Sequence, residues 1–343
     1  MDTPWESRHH RFKTKRKCLM QNKLLTLQSS PHFKDRDSVP KIMWAVIISL
    51  SPAVFSSFYF FRLRAAALYA ICLGACFITE ALFLRLRKKS LRQLWDGSAV
   101  ITALLLAMTL PPSLSLELAG IGAVVAIGIG KQVFGGLGYN IFNPALVGRA
   151  FLQTAFPVAM TTWIPPATLK VNTATFATPL ANLKFQDAIA QGTLTPLKDL
   201  FWGNTGGCLG ETSAVALLLG AIFLILKRTI DWRIPLGIIL ALAAFTGSFW
   251  FVSPEKYASP LFHVLSGGLL IGAFFMATDM VTSPITPLAA WIYALGIGGM
   301  IGLIRLFGGF PEGVMYSILF MNTFVPLLNR YIHPKILGER GKK

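Results

Sequence analysis

The chain has 343 residues, of which 54% are hydrophobic and only 14% are charged. Soluble domains carry about a quarter charged residues, so this composition excludes an ordinary soluble globular protein. A net charge of +17 would suggest nucleic-acid binding in a soluble chain. In a membrane protein, basic cytoplasmic segments explain such a charge better, and we predict no nucleic-acid partner.

The N-terminal segment, residues 1–41, is basic and contains no apolar stretch of the kind found in secretory signal peptides. We predict a cytoplasmic tail that contacts anionic membrane lipid.

Ten apolar segments follow this tail. Seven approach or reach the roughly 20 residues that a membrane span requires: 42–61, 65–84, 214–226, 235–252, 262–277, 288–304 and 314–328. Three are shorter or interrupted by Gly and Pro: 98–110, 118–130 and 142–156. Short segments are compatible with a membrane only where their ends are buried in protein or line a cavity. We therefore predict an all-α polytopic membrane protein with about ten transmembrane helices, some of them broken or re-entrant.

The basic residues indicate an orientation in the membrane. If the N-terminus is cytoplasmic and the ten segments alternate, 25 of the 32 Lys and Arg residues lie on the cytoplasmic side and 7 outside. Cytoplasmic loops are enriched in Lys and Arg. Both termini are therefore predicted to be cytoplasmic, and the loop 157–207 extracytoplasmic.

An internal repeat divides the chain. The segment 133–136, VFGG, is echoed 173 residues later by LFGG at 306–309, and 97–109 resembles 267–279 at a spacing of 170. Two halves of five spans each have opposite orientations, as in many transporters. The predicted organisation is a tail (1–41), a first membrane repeat (42–156), an outer loop (157–207), a second repeat (208–331) and a cytoplasmic C-terminal tail (332–343).

The Gly-rich segment 131–145, KQVFGGLGYNIFNPA, has two interpretations. Glycine permits a tight turn between helices, which is a purely structural role. Alternatively, this is a re-entrant turn in which Asn140, Asn143 and backbone amides contact a ligand. The residues alone leave both open.

Two acidic residues are candidates for an ion path. Glu80 lies within a predicted span, and Asp279 directly follows another. Ionisable residues in a bilayer are costly and often functional. The structural alternatives are an interfacial Glu80 paired with Arg, and an Asp279 that caps a helix. The Cys and His residues show no metal-ligand spacing, so no metal site is predicted, and no catalytic residue is assigned.

The segment 171–184, VNTATFATPLANLK, is polar, rich in Thr and free of acidic side chains. It lies in the longest weakly hydrophobic gap of the chain. Taken alone, its T-x-A-T pattern favours an unmodified surface loop.

Other parts of the chain resemble the RnfD and NqrB subunits of ion-pumping redox complexes. The segment 134–148, FGGLGYNIFNPALVG, resembles a signature shared by both subunits, while 266–282 and 307–322 resemble segments of RnfD. The similarity extends from about residue 23 to 338, and the opening at 30–32, SPH, favours RnfD. The segment 20–32 resembles the usual opening of RnfD proteins and nothing before it does, so we expect the residues before Met20 to be dispensable and not translated in the cell.

The resemblance implies a covalent cofactor. In this family the last Thr of the motif at 175–178, TFAT, carries FMN through a phosphoester, which assigns Thr178 as the acceptor with Thr175 and Ala177 in its motif. A flavin transferase would require an exposed hydroxyl on a flexible segment. Asn172 stands where the family usually has Asp, and we expect this change to make flavinylation less efficient.

The resemblance also implies a function. The chain is expected to be a membrane subunit of an Rnf-type pump in the bacterial cytoplasmic (inner) membrane, not catalytic alone. Such a pump couples electron transfer between ferredoxin and NAD to Na⁺ or H⁺ translocation. The expected partners are the A, B, C, E and G type subunits. A non-covalent riboflavin is a further expectation, near Asn140, Asn143 and Asp279.

Two alternatives remain at this stage. One is an NqrB-type subunit of a Na⁺-pumping quinone reductase. The other is a redox-free channel or solute transporter on the same scaffold, which predicts no flavin.

Overall fold

The structure is a computed structural model that describes residues 38–166, 177–186, 188–211 and 213–333. Within these ranges the regular structure is helical and contains no β-strand. The α-helices are α1 Val39–Leu86, α2 Ser98–Met108, α3 Leu116–Ile127, α4 Pro144–Ala155, α5 Pro157–Thr161, α6 Pro179–Phe185, α7 Leu197–Trp202, α8 Ala214–Leu226, α9 Arg233–Val252, α10 Pro260–Leu265, α11 Leu269–Ile271, α12 Pro287–Phe307 and α13 Val314–Tyr331. Two π-helical turns, Gly128–Gln132 and Gly272–Met276, extend α3 and α11. The predictions for Met20, Asn172 and Thr175 lie outside the described residues.

The first element, α1, consists of two helices. Arg62 has φ 52° within it, and a left-handed backbone cannot continue a right-handed helix. The two limbs, 39–61 and 63–86, match the first two predicted spans.

The lengths of the helices support a multi-pass membrane protein. Among the described residues, three helices are long and apolar enough to cross a membrane: α1, α9 and α12. The apolar helix α2 has 11 residues, or about 16 Å at 1.5 Å per residue, half of the roughly 30 Å hydrocarbon core. Nine of these residues are buried. Helix α2 is therefore a broken helix enclosed by protein, as expected for the short segments.

Large apolar side chains cover much of the outer surface. Phe55, Leu63, Phe251 and Val252 are all strongly exposed. An apolar surface of this extent is unusual for a soluble monomer and fits contact with lipid chains.

The helix order repeats along the chain. Helices α11, α12 and α13 begin 171, 171 and 170 residues after α2, α3 and α4. The residue before α2, Gly97, has φ 87°, and its counterpart Gly267 has φ 69°. This agreement supports the predicted repeat. The opposite membrane orientation of the two halves stays a prediction.

Three cations that the sequence assigned to loops are buried in the protein. They are Lys131, Arg149 and Arg305, and each binds buried carboxylates or backbone carbonyls. Buried cations do not contribute to the charge of loops. Without these three residues, 23 Lys and Arg residues lie on the predicted cytoplasmic side and 6 on the outer side, so the predicted orientation is unchanged.

Candidate functional site

Thr178 is the N-cap residue of α6. Its side-chain oxygen accepts a hydrogen bond from the Ala181 amide at 3.2 Å, and Pro179 occupies the first helical position. Both residue types are favoured in these positions. Thr178 is only 6% exposed. The expectation that Thr178 is exposed is therefore wrong, because the start of α6 is buried.

Apolar contacts anchor one side of α6. Leu180 is buried in a small cluster separate from the main core, completed by Leu200, Ala258 and Phe262. These residues belong to α7, to the turn before α10 and to α10. The loop that carries Thr178 thus has its own apolar core.

Lys184 anchors the C-terminal end of α6. Its ammonium group donates hydrogen bonds to the carbonyls of Ile304, Arg305 and Phe310, at 3.0, 3.1 and 3.0 Å. The first two lie at the C-terminal end of α12, where a cation also meets the negative end of the helix dipole. Partial burial lowers the pKa of Lys184. The lysine therefore fixes α6 to the second repeat.

A large cavity of about 590 Å³ lies beside Thr178. Ligand sites have volumes of about 300–1,000 Å³, so a cofactor can be accommodated. The lining combines aromatic side chains with a few polar ones: Trp163, Phe185, Phe310, Tyr316, Arg149, Gln153 and Glu312. This composition suits a planar aromatic ligand with a polar edge.

A buried charge cluster adjoins this cavity. Arg149 of α4 binds Glu312 at 2.9 Å and lies 3.6 Å from Glu211. Burial, followed by the charge of Glu312, raises the pKa of Glu211 to about 8. Burial also raises the pKa of the neighbouring Cys208 thiol. The cluster joins both halves of the chain, since Arg149 belongs to the first half and the two glutamates to the second.

A second, smaller cavity of about 80 Å³ is lined by Asn140, Asn143 and Asp279. The structure therefore brings together three residues that were expected near a second ligand. Asn143 caps α4 by accepting from the Ala145 amide at 3.0 Å, and its Nδ2 donates to the Met276 carbonyl at 3.2 Å.

Asp279 shapes the turn that follows α11 and its π-helical extension. Its carboxylate accepts hydrogen bonds from the Val281 amide and the Thr282 hydroxyl, at 3.5 and 3.3 Å. Burial raises the pKa of Asp279. Asp279 therefore stabilises a turn and does not cap a helix.

Glu80 binds a lysine, not an arginine. Its carboxylate accepts from the Lys131 ammonium and from Gln132, and Lys131 also donates to the Ser98 hydroxyl at 2.6 Å. Lys131 and Ser98 both line the small cavity together with Asp279. Asp279 thus lines the small cavity directly, and Glu80 contacts a residue of its lining, Lys131.

The described residues contain no cluster of three His, Cys, Asp or Glu side chains able to hold a metal ion.

Sequence reasoning missed the roles of Arg149, Lys131 and Lys184. The acids Glu211 and Glu312 were visible as rare ionisable residues beside apolar segments, which is a signal for function. Their cationic partner, Arg149, could not be recognised from the sequence, because basic residues near membrane spans are normally interpreted as charges of loops.

Comparisons with known proteins agree with this architecture. The sequence profile of the NQR2, RnfD, RnfE family matches residues 26–338. The chain is 43% identical over 328 residues to the D-type subunit of the proton-translocating ferredoxin:NAD(+) oxidoreductase complex of Clostridium ljungdahlii, covering 94% of this chain and 98% of that protein. It is 45% identical over 318 residues to the D-type subunit of the Na(+)-translocating ferredoxin:NAD(+) oxidoreductase complex of Acetobacterium woodii, covering 92% and 95%. It is 39% identical over 335 residues to the D-type subunit of an ion-translocating oxidoreductase complex of Stutzerimonas stutzeri, covering 90% and 95%. The chain therefore belongs to the NQR2, RnfD, RnfE family.

Proposed function

We propose that this chain is the D-type membrane subunit of an Rnf-type ion pump, and that it relays electrons through FMN bound covalently to Thr178. The observation that carries the proposal is the position of Thr178 on the wall of a 590 Å³ cavity rich in aromatic side chains. The names of the relatives, D-type subunits of ferredoxin:NAD(+) oxidoreductase complexes, favour this interpretation over an NqrB-type subunit.

The residues of the cavity fit such a group. Thr178 would hold the phosphate, and Trp163, Phe185 and Tyr316 offer apolar surface for a ring system. The Arg149 guanidinium offers a cation at the same wall. Bound FMN supplies one-electron redox chemistry, and the protein contributes orientation, exclusion of water and local charge.

The burial of Thr178 bears on how the cofactor is attached. Thr178 is 6% exposed and its hydroxyl oxygen is engaged with the Ala181 amide, which restricts the access of a modifying enzyme. We infer that a flavin transferase acts before α6 packs against α12.

A non-covalent riboflavin does not fit the second cavity as it stands. Its volume of about 80 Å³ is well below the 300–1,000 Å³ typical of ligand sites. We therefore assign no flavin to Asn140, Asn143 and Asp279.

An ion path is the role we propose for this smaller cavity. Glu80 reaches it through Lys131, and Asp279 forms part of its wall. Charged groups inside a membrane protein commonly mark such paths. The similarity to a proton-translocating and a Na(+)-translocating relative is nearly equal, so overall identity does not distinguish the coupling ion.

The proposed setting is the bacterial cytoplasmic membrane, with both termini cytoplasmic and the Thr178 loop outside. The basic residues support this orientation. The proposed partners are the other subunits of an Rnf complex and, during maturation, a flavin transferase.

Flavin fluorescence of the denatured chain in a gel separates this proposal from a redox-free channel. The chain is produced with a flavin transferase, because only covalently bound flavin survives denaturation. We expect a fluorescent band for the wild type and for Thr193→Val, an exposed threonine of the same loop, but none for Thr178→Val. A wild-type chain without fluorescence would favour the channel.

A further inference from the structure

Two acidic residues beside Thr178 have no part in the function proposed so far. Glu211 lies just before α8 and Glu312 just before α13, and both converge on Arg149 of α4. Both carboxyl groups therefore contact the same guanidinium group. Two carboxylates that share one site repel each other, and this repulsion favours the protonated form of one of them.

Glu211 is incompletely satisfied. Its side chain is only 4% exposed, and its Oε1 atom lies 3.6 Å from the Arg149 guanidinium. That atom has no hydrogen-bond partner among the described residues, and a buried carboxylate oxygen without a hydrogen bond is costly. A proton on this carboxyl group removes the charge and supplies a donor.

The charges around Glu211 are compatible with a protonated carboxyl group. The titratable groups that influence Glu211 are Arg149, Glu312 and Cys208, and Arg305 of α12 lies within electrostatic reach. The Arg305 guanidinium is engaged with the carbonyls of His263 and Ser266. Among the described residues, Arg149 is the cation that forms ion pairs with both carboxylates, at 3.6 Å from Glu211 and 2.9 Å from Glu312.

A small cavity connects the pair to the attachment residue. Its volume is about 10 Å³, close to the minimum for one water molecule. It is lined by Thr178, Thr205, Glu211 and Glu312. A water molecule in this cavity would have enough polar partners, and Thr178 lines the same cavity as the two carboxyl groups.

We propose that Glu211 and Glu312 form a one-proton site that gains a proton when the group on Thr178 becomes more negative, and loses it when that charge is withdrawn. The redox link rests on the proposed function, whereas the proton site itself does not. The electron comes from the partner subunits. The proton comes from water and adds to a carboxylate oxygen of the pair, forming an O–H bond without electron exchange at the carboxyl group.

The raised pKa of Glu211 agrees with a carboxyl group that binds a proton. Burial raises the pKa of Glu211 to about 8, above the value near 4.3 of an unfolded chain. The proton is therefore bound at neutral pH and is lost as the pH rises through 8. An added negative charge nearby raises the pKa further, so proton uptake should be largest above pH 8, between the two pKa values.

The first experiment tests the proton site without flavin. Infrared spectra are recorded on the full chain, produced without a flavin transferase and purified in detergent, during a pH titration. We expect a carboxylic-acid carbonyl band at pH 7 that decreases above pH 8 and is lost in Glu211→Gln. The exposed Glu255 provides the control Glu255→Gln, which should retain the band.

If Glu211→Gln does not fold, Glu312→Gln serves as the second variant. Removing one of two close acids lowers the proton affinity of the other, so this band should disappear at lower pH. A band unchanged in the folded glutamate variants would overturn the proton site. So would a band that responds to Na⁺ at constant pH, because the pair would then bind a metal cation.

The second experiment tests the redox link on the flavinylated chain. We expect the carbonyl band to grow on reduction at pH 8 in the wild type and in Glu255→Gln, and to stay constant in Glu211→Gln. A carbonyl band that is present but unaffected by reduction would contradict the coupling between flavin reduction and proton uptake. The existence of the proton site would be unaffected by that result. A chain that carries no flavin would overturn the proposed function and the link together, while the first experiment still decides the site.

Discussion

Arg149 is the residue on which the charge balance of the site depends. It lines the large cavity and binds Glu312 at 2.9 Å, and its side chain is 8% exposed. Removing one partner from a buried ion pair leaves an uncompensated charge, which is far more costly than losing an exposed pair. Arg149 is thus expected to stabilise both the fold and the cofactor cavity.

The variant Arg149→Gln should lower the free energy of unfolding by about 3–5 kcal/mol. Thermal unfolding of the chain in detergent measures this as a large decrease in Tm. The control is Arg330→Gln, at an exposed position, with an expected change within about 0.5 kcal/mol. Equal stability of the two variants would show that Arg149 is not part of a buried ion pair.

Helix α6 is the element that positions Thr178, and Lys184 is its polar anchor. Three hydrogen bonds from one ammonium group join it to the end of α12 and the turn that follows. The variant Lys184→Met keeps the apolar stem and removes these bonds. We expect a loss of about 1–3 kcal/mol and faster proteolysis of the Thr178 loop.

The control for Lys184 is Lys198→Met, which removes an exposed lysine from the same loop. Limited proteolysis with mass-spectrometric mapping of the cleavage sites compares the two variants. Identical cleavage rates in wild type and Lys184→Met would contradict the anchoring role.

Among the described helices, α1 and α8 form the most extensive contact between the two repeats. A Cβ atom at Gly220 of α8 would overlap the Ser49 carbonyl oxygen of α1. Gly220→Ala should therefore separate the helices or prevent folding, seen as a loss of monodisperse protein in size-exclusion chromatography. Gly74→Ala, where a Cβ atom meets open space, should be neutral or slightly stabilising. Normal behaviour of Gly220→Ala would contradict the close packing.

The long apolar helices were predictable from sequence, while the short helices of the loop 157–207, the break between α10 and α11, and the contacts between helices were not. Continuous apolar runs located both limbs of α1 and most of α12, because burial in lipid imposes a strong compositional signal. The pairs Lys131–Glu80 and Arg149–Glu312 join residues 51 and 163 positions apart. Such pairs depend on how the helices pack in three dimensions. The burial of Thr178 has the same origin, since it follows from the docking of α6.

At the scale of the whole molecule, the orientation in the membrane decides which side of the bilayer the large cavity faces. The charge asymmetry predicts that the Thr178 loop lies outside and the C-terminus inside. With the native cysteines removed, an impermeant thiol reagent should label Ala174→Cys in intact cells but not Gly341→Cys. The reverse pattern would contradict the predicted orientation.

The cofactor attachment is the claim on which the function of the whole molecule depends. Peptide mass spectrometry of the chain, produced with a flavin transferase, tests it most directly. We predict an FMN adduct on the peptide that contains Thr178, with fragment ions that locate it on this residue. Restoring the family's acidic residue with Asn172→Asp should increase the modified fraction. An adduct on another residue, such as Thr175, or an unmodified peptide in a fully active complex, would contradict the account.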